Sequence, residues 1–201
     1  MPPLRRPSKK ELPATLATIA AAHPEAARIE LWFQDEMRVG QKGTLTRVWG
    51  LRGQRAVRRR DLRFSSAYLF GAVCPERGTG AALVLPRVSL WATNQHLAEI
   101  SQHVASDAHA ALVLDRAGWH SEPGLVVPAN ITLVGLPPYS PELNPAEALW
   151  HEMRRRFFAL QVFKDYDAIV DACCVAWNRV QADPAFIRAV TGYTWLPSLK
   201  G

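Results

Sequence analysis

This sequence of 201 residues lacks long apolar runs, cysteines at CxxC spacing and clustered histidines. No apolar run approaches the roughly 20 residues that a membrane-spanning helix needs. The three cysteines, Cys74, Cys173 and Cys174, form no CxxC pair, which argues against a zinc or redox site. The N-terminus is basic but shows no convincing apolar core with a cleavage site, so no export signal is predicted. We therefore expect a cytoplasmic protein whose cysteines are reduced core residues.

The composition is typical of a soluble globular protein with one core. Hydrophobic residues make up 48% of the chain and charged residues 21%, which argues against a largely disordered chain. Residues 1–26 are predicted to form a basic, proline-punctuated arm with one short helix, and residues 27–201 to form one domain. The chain has 24 Lys and Arg against 18 Asp and Glu, a net charge of +6. This excess favours a polyanionic partner.

Five short apolar stretches predict the strands of one sheet. "IELWFQDE", "SAYLFGAV" and "AALVLP" follow one another without a helix, so they predict an antiparallel start with a hairpin across "CPERGTG". A helix capped by Thr93 or Asn94 comes next, then the strands "HAALVLD" and "ITLVGL", then two helices. The right-handed crossover rule brings "HAALVLD" back beside the first strand. The order predicts an α/β fold in which helices flank a mixed sheet.

Two aspartates come directly after apolar strand residues. Asp35 follows "IELWFQ", and Asp115 follows "HAALVL". Because the two strands are predicted neighbours, both carboxylates are expected at one edge of the sheet. A carboxylate there is costly to desolvate unless it is paired, hydrogen-bonded or bound to metal. One such Asp commonly begins a turn, and this alternative stays open for either residue alone.

Glu147 has two possible roles. Asn144, Pro145 and Glu147 fit the N-cap, first position and third position of a helix, the arrangement of a capping box. The helical period also places Glu147 at the flank of the buried stripe, where it can face a groove at the sheet edge. The prolines of "LPPYSPELNP" stiffen the approach to this helix, which would fix where its first turn lies. We predict a catalytic role with capping as a compatible second one.

Asp35, Asp115 and Glu147 together would offer hard oxygen ligands. Such ligands suit Mg²⁺ or Mn²⁺, and two ions held about 3.5–4 Å apart are suited to phosphodiester chemistry. Zinc would need His or Cys spacing, and the six histidines are scattered. His120 and His151 lie near the acids in sequence, where DNA contact or packing explains them better than metal ligation.

The blocks "FQDE", "LVLDRAGWH" and "LPPYSPELNPAEALW" resemble the three catalytic blocks of DDE transposases, specifically the bacterial insertion-sequence 630 branch of the mariner superfamily. The intervals, 115 − 35 = 80 and 147 − 115 = 32, resemble that family's long first gap and short second gap. "RVWGLRGQR" and "YLFGAV" are also similar to it, so the resemblance covers residues 27–181. It implies a ribonuclease-H-like fold, with Asp35, Asp115 and Glu147 as the metal-binding triad.

The sequence departs from that family in three places. Arg116 stands where Gly or Asn is common, and Ala146 stands where a bulky residue is usual. Full-length members carry an N-terminal helix-turn-helix region that recognises the element's ends, which a basic arm of 26 residues cannot supply. We therefore expect the catalytic half of a transposase, either a truncated copy or the downstream frame of an element whose frames are joined by frameshifting.

Two arginine clusters flank the predicted acidic site. They can be solvated surface, but beside acids that repel DNA they are better explained as phosphate contacts. Trp119 and Tyr139 could stack on an unpaired base or simply pack, and Trp150 and Trp177 are predicted core residues. The predicted DNA contacts are Arg52, Arg55, Arg58, Arg59, Arg60, Arg63, Trp119, His120, Tyr139, Arg154 and Arg155.

These patterns favour a metal-dependent catalytic domain of a DNA transposase. It would cleave the element's ends in double-stranded DNA and transfer the freed 3′-OH to target DNA, with Mg²⁺ or Mn²⁺ as cofactor. The resemblance implies a homo-oligomer on DNA. Two alternatives stay open: a ribonuclease-H-like endonuclease without strand transfer, and an inactive or domesticated DNA-binding remnant.

Overall fold

The sheet begins with three antiparallel strands and is completed by two parallel ones. The computed structural model describes residues 11–41, 51–53, 63–115, 123–137, 140–194 and 196. A 3₁₀ turn, Pro141–Leu143, precedes helix α3, and a π-helical turn, Arg154–Phe158, follows it. The elements in chain order are α1 (Leu12–Ala22), β1 (Arg28–Gly40), β2 (Ser66–Cys74), β3 (Thr79–Leu85), α2 (Leu90–His103), β4 (Ala108–Leu114), β5 (Ile131–Gly135), α3 (Pro145–Met153), α4 (Tyr166–Gln181) and α5 (Pro184–Thr191).

The five strands lie in the order β3-β2-β1-β4-β5. β1 pairs antiparallel with β2, and β2 with β3, while β1 and β4 and then β4 and β5 pair in parallel. The β2–β3 hairpin closes where Gly78, at φ 63°, donates its N–H to the carbonyl of Cys74. The predicted mixed five-stranded sheet, its hairpin and the position of β4 beside β1 are therefore confirmed.

Alternation along the strands separates two cores. On β1, Leu31, Phe33 and Met37 face the cluster that also holds buried residues of α1, α3, α4 and α5. Trp32 faces the opposite cluster, which holds buried residues of α2. All seven residues of β4 are buried, as expected for a parallel strand covered on both faces. The sheet is thus flanked by helices on both faces, as predicted.

Several boundaries differ from the sequence-based prediction. β1 does not end at Asp35; it continues to Gly40 because β2 goes on pairing with it after β4 has ended. Helix α2 is capped by Ser89, whose Oγ accepts from the N–H of Ala92, and not by Thr93 or Asn94. The helix therefore begins at Leu90, before the start that was predicted from the spacing of apolar residues.

Helix α1 lies within the predicted basic arm. Its side chains Leu12, Leu16 and Ile19 are buried in the same cluster as β1, so this helix packs onto the sheet. The division into an arm of residues 1–26 and a domain of residues 27–201 stays a prediction. Cys74 and Cys173 are buried as predicted, whereas Cys174 is exposed on the outer side of α4.

Candidate active site

The register of the sheet places Asp35 level with Asp115. In the parallel ladder between β1 and β4, the last pair is Phe33 with Val113, and the two aspartates follow two residues later on each strand. Side chains alternate along a strand, so Asp35 lies on the same face as Phe33, and continuing the alternation of β4 assigns Asp115 to that face. The sequence interval of 80 residues between the acids is therefore the register offset of the two strands.

One asparagine ties the start of α3 to β1 beside Asp35. The Nδ2 of Asn144 donates to the backbone carbonyl of Gln34 at 2.9 Å, and its Oδ1 accepts from the N–H of Ala146 at 3.1 Å. Asn144 is therefore the helix cap and the anchor of the helix at once, and it is 3% exposed. Pro145 occupies the first turn, as predicted. These contacts bring the first turn of α3 to the residue that precedes Asp35.

Glu147 lies at the exposed flank of this anchored turn. Within the part of the chain that the structure describes, its carboxylate accepts no hydrogen bond from the Asn144 N–H, so the reciprocal half of a capping box is not formed. The cap is supplied by Asn144 alone, and the Glu147 side chain is exposed. Four of the five residues predicted for the buried stripe are buried in α3, namely Ala146, Leu149, Trp150 and Met153. The fifth, Phe157, lies in the π-helical turn and is only partly buried.

The electrostatics of Asp35 show that the three acids influence one another. Burial raises the pKa of Asp35 to about 7, and the negative charges of Glu147, Glu36 and Asp115 act in the same direction. A hydrogen bond from the backbone N–H of Glu36 acts in the opposite direction and favours the ionised form. Among the described residues, no Lys or Arg pairs with Asp35 or Glu147. Within the described part of the chain, the site is thus a set of acids without a cationic partner for Asp35.

Trp150 is a site residue that the sequence analysis assigned only to the core. Its side chain is 1% exposed, and its Nε1–H donates to Oδ2 of Asp35 at 3.0 Å. Gly71 of β2 stands opposite Asp35 in the ladder, and a Cβ at Gly71 would collide with the Trp150 ring. A glycine inside a strand is the available sequence signal, since it often marks a close approach. "YLFGAV" contains that glycine, but nothing in the sequence says that Trp150 lies over it.

The donor set fits a hard divalent cation by its chemistry. Three carboxylates, at least one of them poorly compensated, are the ligands that Mg²⁺ and Mn²⁺ prefer. As the described side chains are placed, no group of three acids, histidines or cysteines is close enough to hold one ion. Like charges repel one another without a cation, which favours an open arrangement.

The predicted DNA contacts divide into those inside and outside the described residues. Arg52 is exposed, and so is Arg154. Arg63 donates to the carbonyls of Lys164 at 2.7 Å and Phe163 at 2.6 Å, which gives it a structural role in joining the start of β2 to the loop before α4. Outside the described residues lie Arg55, Arg58, Arg59, Arg60, Trp119, His120 and Tyr139.

The arginines after α3 are partly compensated by one acid. Glu152 accepts from Nη2 of Arg155 at 2.7 Å and from Nε of Arg156 at 3.0 Å, and these bonds lower the pKa of Glu152 to about 2. The Arg156 guanidinium also lies 4.4 Å from the centroid of the Phe186 ring. All three arginines of the π-helical turn are exposed, and Arg154 has neither of these acidic contacts.

The helices among the described residues are not membrane spans. No helix among them combines the length and apolarity that crossing a bilayer requires.

Comparison with known structures identifies the fold. The protein is 16% identical to a chain of the Mos1 strand transfer complex, with a TM-score of 0.53. The match covers 92% of the present chain and 59% of the Mos1 chain. For a pre-cleavage Mos1 transpososome the identity is 15%, the TM-score 0.56 and the shares 92% and 61%. The chain thus spans about 60% of those Mos1 chains. The likeness confirms the predicted ribonuclease-H-like fold.

Comparison of sequences identifies the family. A protein of Sinorhizobium fredii (strain NBRC 101917 / NGR234), "Uncharacterized protein y4pE/y4sA", is 53% identical over 129 residues, which are 64% of this chain and 96% of that protein. The family model described as "DDE superfamily endonuclease" matches residues 30–170, a segment that contains Asp35, Asp115 and Glu147. With most of its length inside that match, the chain belongs to the DDE superfamily endonucleases.

Proposed function

We propose that this chain is the catalytic domain of a DNA transposase of the insertion-sequence 630 branch, and that Asp35, Asp115 and Glu147 are its catalytic triad. The observation that carries the proposal is the placement of the three acids. The β1–β4 register sets Asp35 level with Asp115, and Asn144 anchors the first turn of α3 to the residue before Asp35.

Asp35, Asp115 and Glu147 would be the carboxylate ligands of two Mg²⁺ or Mn²⁺ ions. When bound, such ions make water a stronger nucleophile and stabilise the leaving oxygen of a phosphodiester. Mos1 complexes with Mn and with Mg share the fold of this chain, which supports the choice of metals. Burial and the neighbouring acids raise the pKa of Asp35, so a bound cation would stabilise its ionised form.

The proposed reaction has two steps at the same site. In the first, water attacks the phosphorus at the element's end and a strand with a free 3′-OH is released. In the second, that 3′-OH attacks a phosphodiester of target DNA, so one P–O bond forms as another breaks. The match to a Mos1 strand transfer complex supports the second step for this chain.

The proposed partner is double-stranded DNA, at the transposon ends and at the target. The net charge of +6 and the two arginine clusters would supply attraction to phosphate around an acidic centre. A homo-oligomer on DNA and action in the cytoplasm belong to the same proposal. Mos1 paired-end complexes support an assembly that holds DNA ends.

The rival functions give different products. An endonuclease without strand transfer would cut DNA but would not join a pre-cut end to a target duplex. A DNA-binding remnant would do neither. Incubation of pre-cut ends with a circular target and Mn²⁺ therefore separates the three, because only a transposase forms joined product.

The first prediction tests Glu147. If Glu147 serves only the helix, Glu147→Gln should retain most of the cleavage of a duplex that carries the element's end. We expect cleavage to fall by orders of magnitude, because the charge that holds the metal is lost, while the melting temperature stays near that of the unaltered chain. Glu142→Gln, an exposed acid in the preceding 3₁₀ turn, is the matched control and should cleave normally. Near-normal cleavage by Glu147→Gln would remove it from the triad.

A further inference from the structure

The hydrogen bond between Trp150 and Asp35 joins the core of α3 to the acidic site. The indole Nε1 lies 3.0 Å from Oδ2 of Asp35, and the Trp150 side chain is 1% exposed. Trp150 belongs to the helix that also carries Glu147, one turn earlier. Two of the acidic residues are therefore connected through one buried side chain.

The position of the indole is fixed from several directions. Gly71, opposite Asp35 on β2, leaves space that a Cβ would fill, so the ring lies directly against the sheet. The neighbouring Trp177 ring is tilted and not stacked on it, with centroids 6.4 Å apart at an interplanar angle of 49°. Asn144 holds the start of the helix to the carbonyl of Gln34. A ring confined in this way can donate its N–H in essentially one direction.

We propose that Trp150 is a positioning residue for metal binding: its N–H holds Oδ2 of Asp35 and thereby presents Oδ1 to the metal. This inference rests on the proposed function. The indole is a donor without charge, so it orients the carboxylate without neutralising it. An arginine in that place would compete with the metal for the same negative charge. Hydrogen bonds to the outer oxygen of a ligating carboxylate commonly set ligand orientation in metal sites.

A purely structural explanation makes a different prediction. A buried indole N–H needs an acceptor, and Asp35 could serve only to satisfy it. In that case, loss of the N–H would affect stability but not metal affinity. Trp177 provides the matched control because it is also buried, at 8% exposed, and belongs to the same cluster. In the described part of the chain its indole makes no hydrogen bond to an acid of the site.

The test measures Mn²⁺ binding to the full chain by water-proton relaxation, with no DNA and no turnover. Trp150→Phe keeps an aromatic ring and removes the N–H, and Trp177→Phe makes the same change beside it. We expect the Mn²⁺ dissociation constant to rise about 10-fold or more in Trp150→Phe, the range typical for lost outer partners. In Trp177→Phe it should change by less than about 2-fold, although both variants lose comparable packing. Equal affinities in the two variants would overturn the inference.

Asp115→Asn separates this failure from failure of the proposed function. If the unaltered chain binds Mn²⁺ and Asp115→Asn weakens binding while Trp150→Phe does not, only the role of Trp150 is wrong. If Asp115→Asn leaves Mn²⁺ binding unchanged, the metal site and the inference are both wrong.

A second measurement covers the case in which Trp150→Phe does not fold. The unaltered chain is labelled with ¹⁵N at its indoles. The Trp150 N–H resonance is then assigned by comparison with the spectrum of Asp35→Asn, which should displace it. We expect added Mg²⁺ to shift this resonance while its N–H remains protected from exchange with solvent. Loss of that protection on Mg²⁺ addition, or no shift while the Asp115 amide responds, would contradict the proposal.

Discussion

Two carboxylates of strand β1, Glu30 and Asp35, each accept a hydrogen bond from a tryptophan indole but differ in their charged neighbours. Glu30 accepts from Nε1 of Trp32 at 2.9 Å, and Asp35 accepts from Nε1 of Trp150 at 3.0 Å. Glu30 is additionally held by Arg77, whose Nη1 lies 3.1 and 3.0 Å from its two oxygens. Asp35 has Glu147, Glu36 and Asp115 as its charged neighbours. Among the described residues, Glu30 therefore has a cationic partner and Asp35 has none.

The comparison separates orientation from charge compensation. An indole N–H orients either carboxylate, but where the structure describes the chain only Glu30 also has a positively charged partner. That partner, Arg77, is itself fixed because it donates to the carbonyl of His103 at 2.8 Å. At Asp35 the indole does not offset burial and repulsion, since the pKa is raised to about 7. Glu30 is therefore suited to holding the fold together. Asp35 is suited to binding a cation from outside.

The largest expected effect is the pH dependence caused by Asp35. Its pKa is 3.8 in the unfolded chain and about 7 in the folded one, so the folded state binds the extra proton between these values. In EDTA, the free energy of unfolding should fall as pH rises from about 4 to 7, by about 4 kcal/mol at most. Asp35→Asn should remove this fall, as should saturating Mg²⁺. Urea denaturation across this pH range measures it, and the same slope in both proteins would contradict the raised pKa.

Glu30→Gln should have the next largest effect, and on stability alone. It leaves Arg77 beside a group without charge, and loss of one partner of a buried pair costs about 3 kcal/mol, toward the low end because Arg77 is 34% exposed. Cleavage per folded molecule should stay within about 2-fold of normal. Glu99→Gln, which removes a partly exposed acid of α2, should cost less than about 1 kcal/mol. A large loss of cleavage at full folding would show that Glu30 belongs to the site.

The smallest effect concerns Glu152, a partly exposed acid with two arginine partners. Glu152→Gln should free Arg155 and Arg156 for phosphate and tighten DNA binding by about 2- to 3-fold at low salt, with a steeper salt dependence. Fluorescence anisotropy between about 50 and 200 mM salt measures both quantities. Asp171→Asn removes one exposed negative charge from α4 and is the matched control. Equal changes in the two variants would mean that net charge, and not release of these arginines, is responsible.

Local patterns predicted the features that depend on neighbouring residues. The strands, the hairpin, the Asn144 cap and the buried stripe of α3 all follow from periodicity, turn residues and capping preferences. The contacts that distinguish the two carboxylates join residues far apart in sequence, namely Trp150 with Asp35 and Arg77 with Glu30. No local preference encodes such a contact. The length of β1 beyond Asp35 was missed for the same reason, since it depends on pairing with β2.

The equality between the Asp35–Asp115 interval and the strand register has a consequence for how this chain tolerates length changes. Residues added within the β1–β2 connection or the turn at Gly78 alter the interval but leave the ladder from Arg28 to Phe33 in place. One residue inserted inside that ladder turns every later side chain of β1 to the other face, which exchanges Asp35 for a neighbour. The connections between the two acids can therefore vary in length, whereas a single-residue insertion within the paired strands is not tolerated.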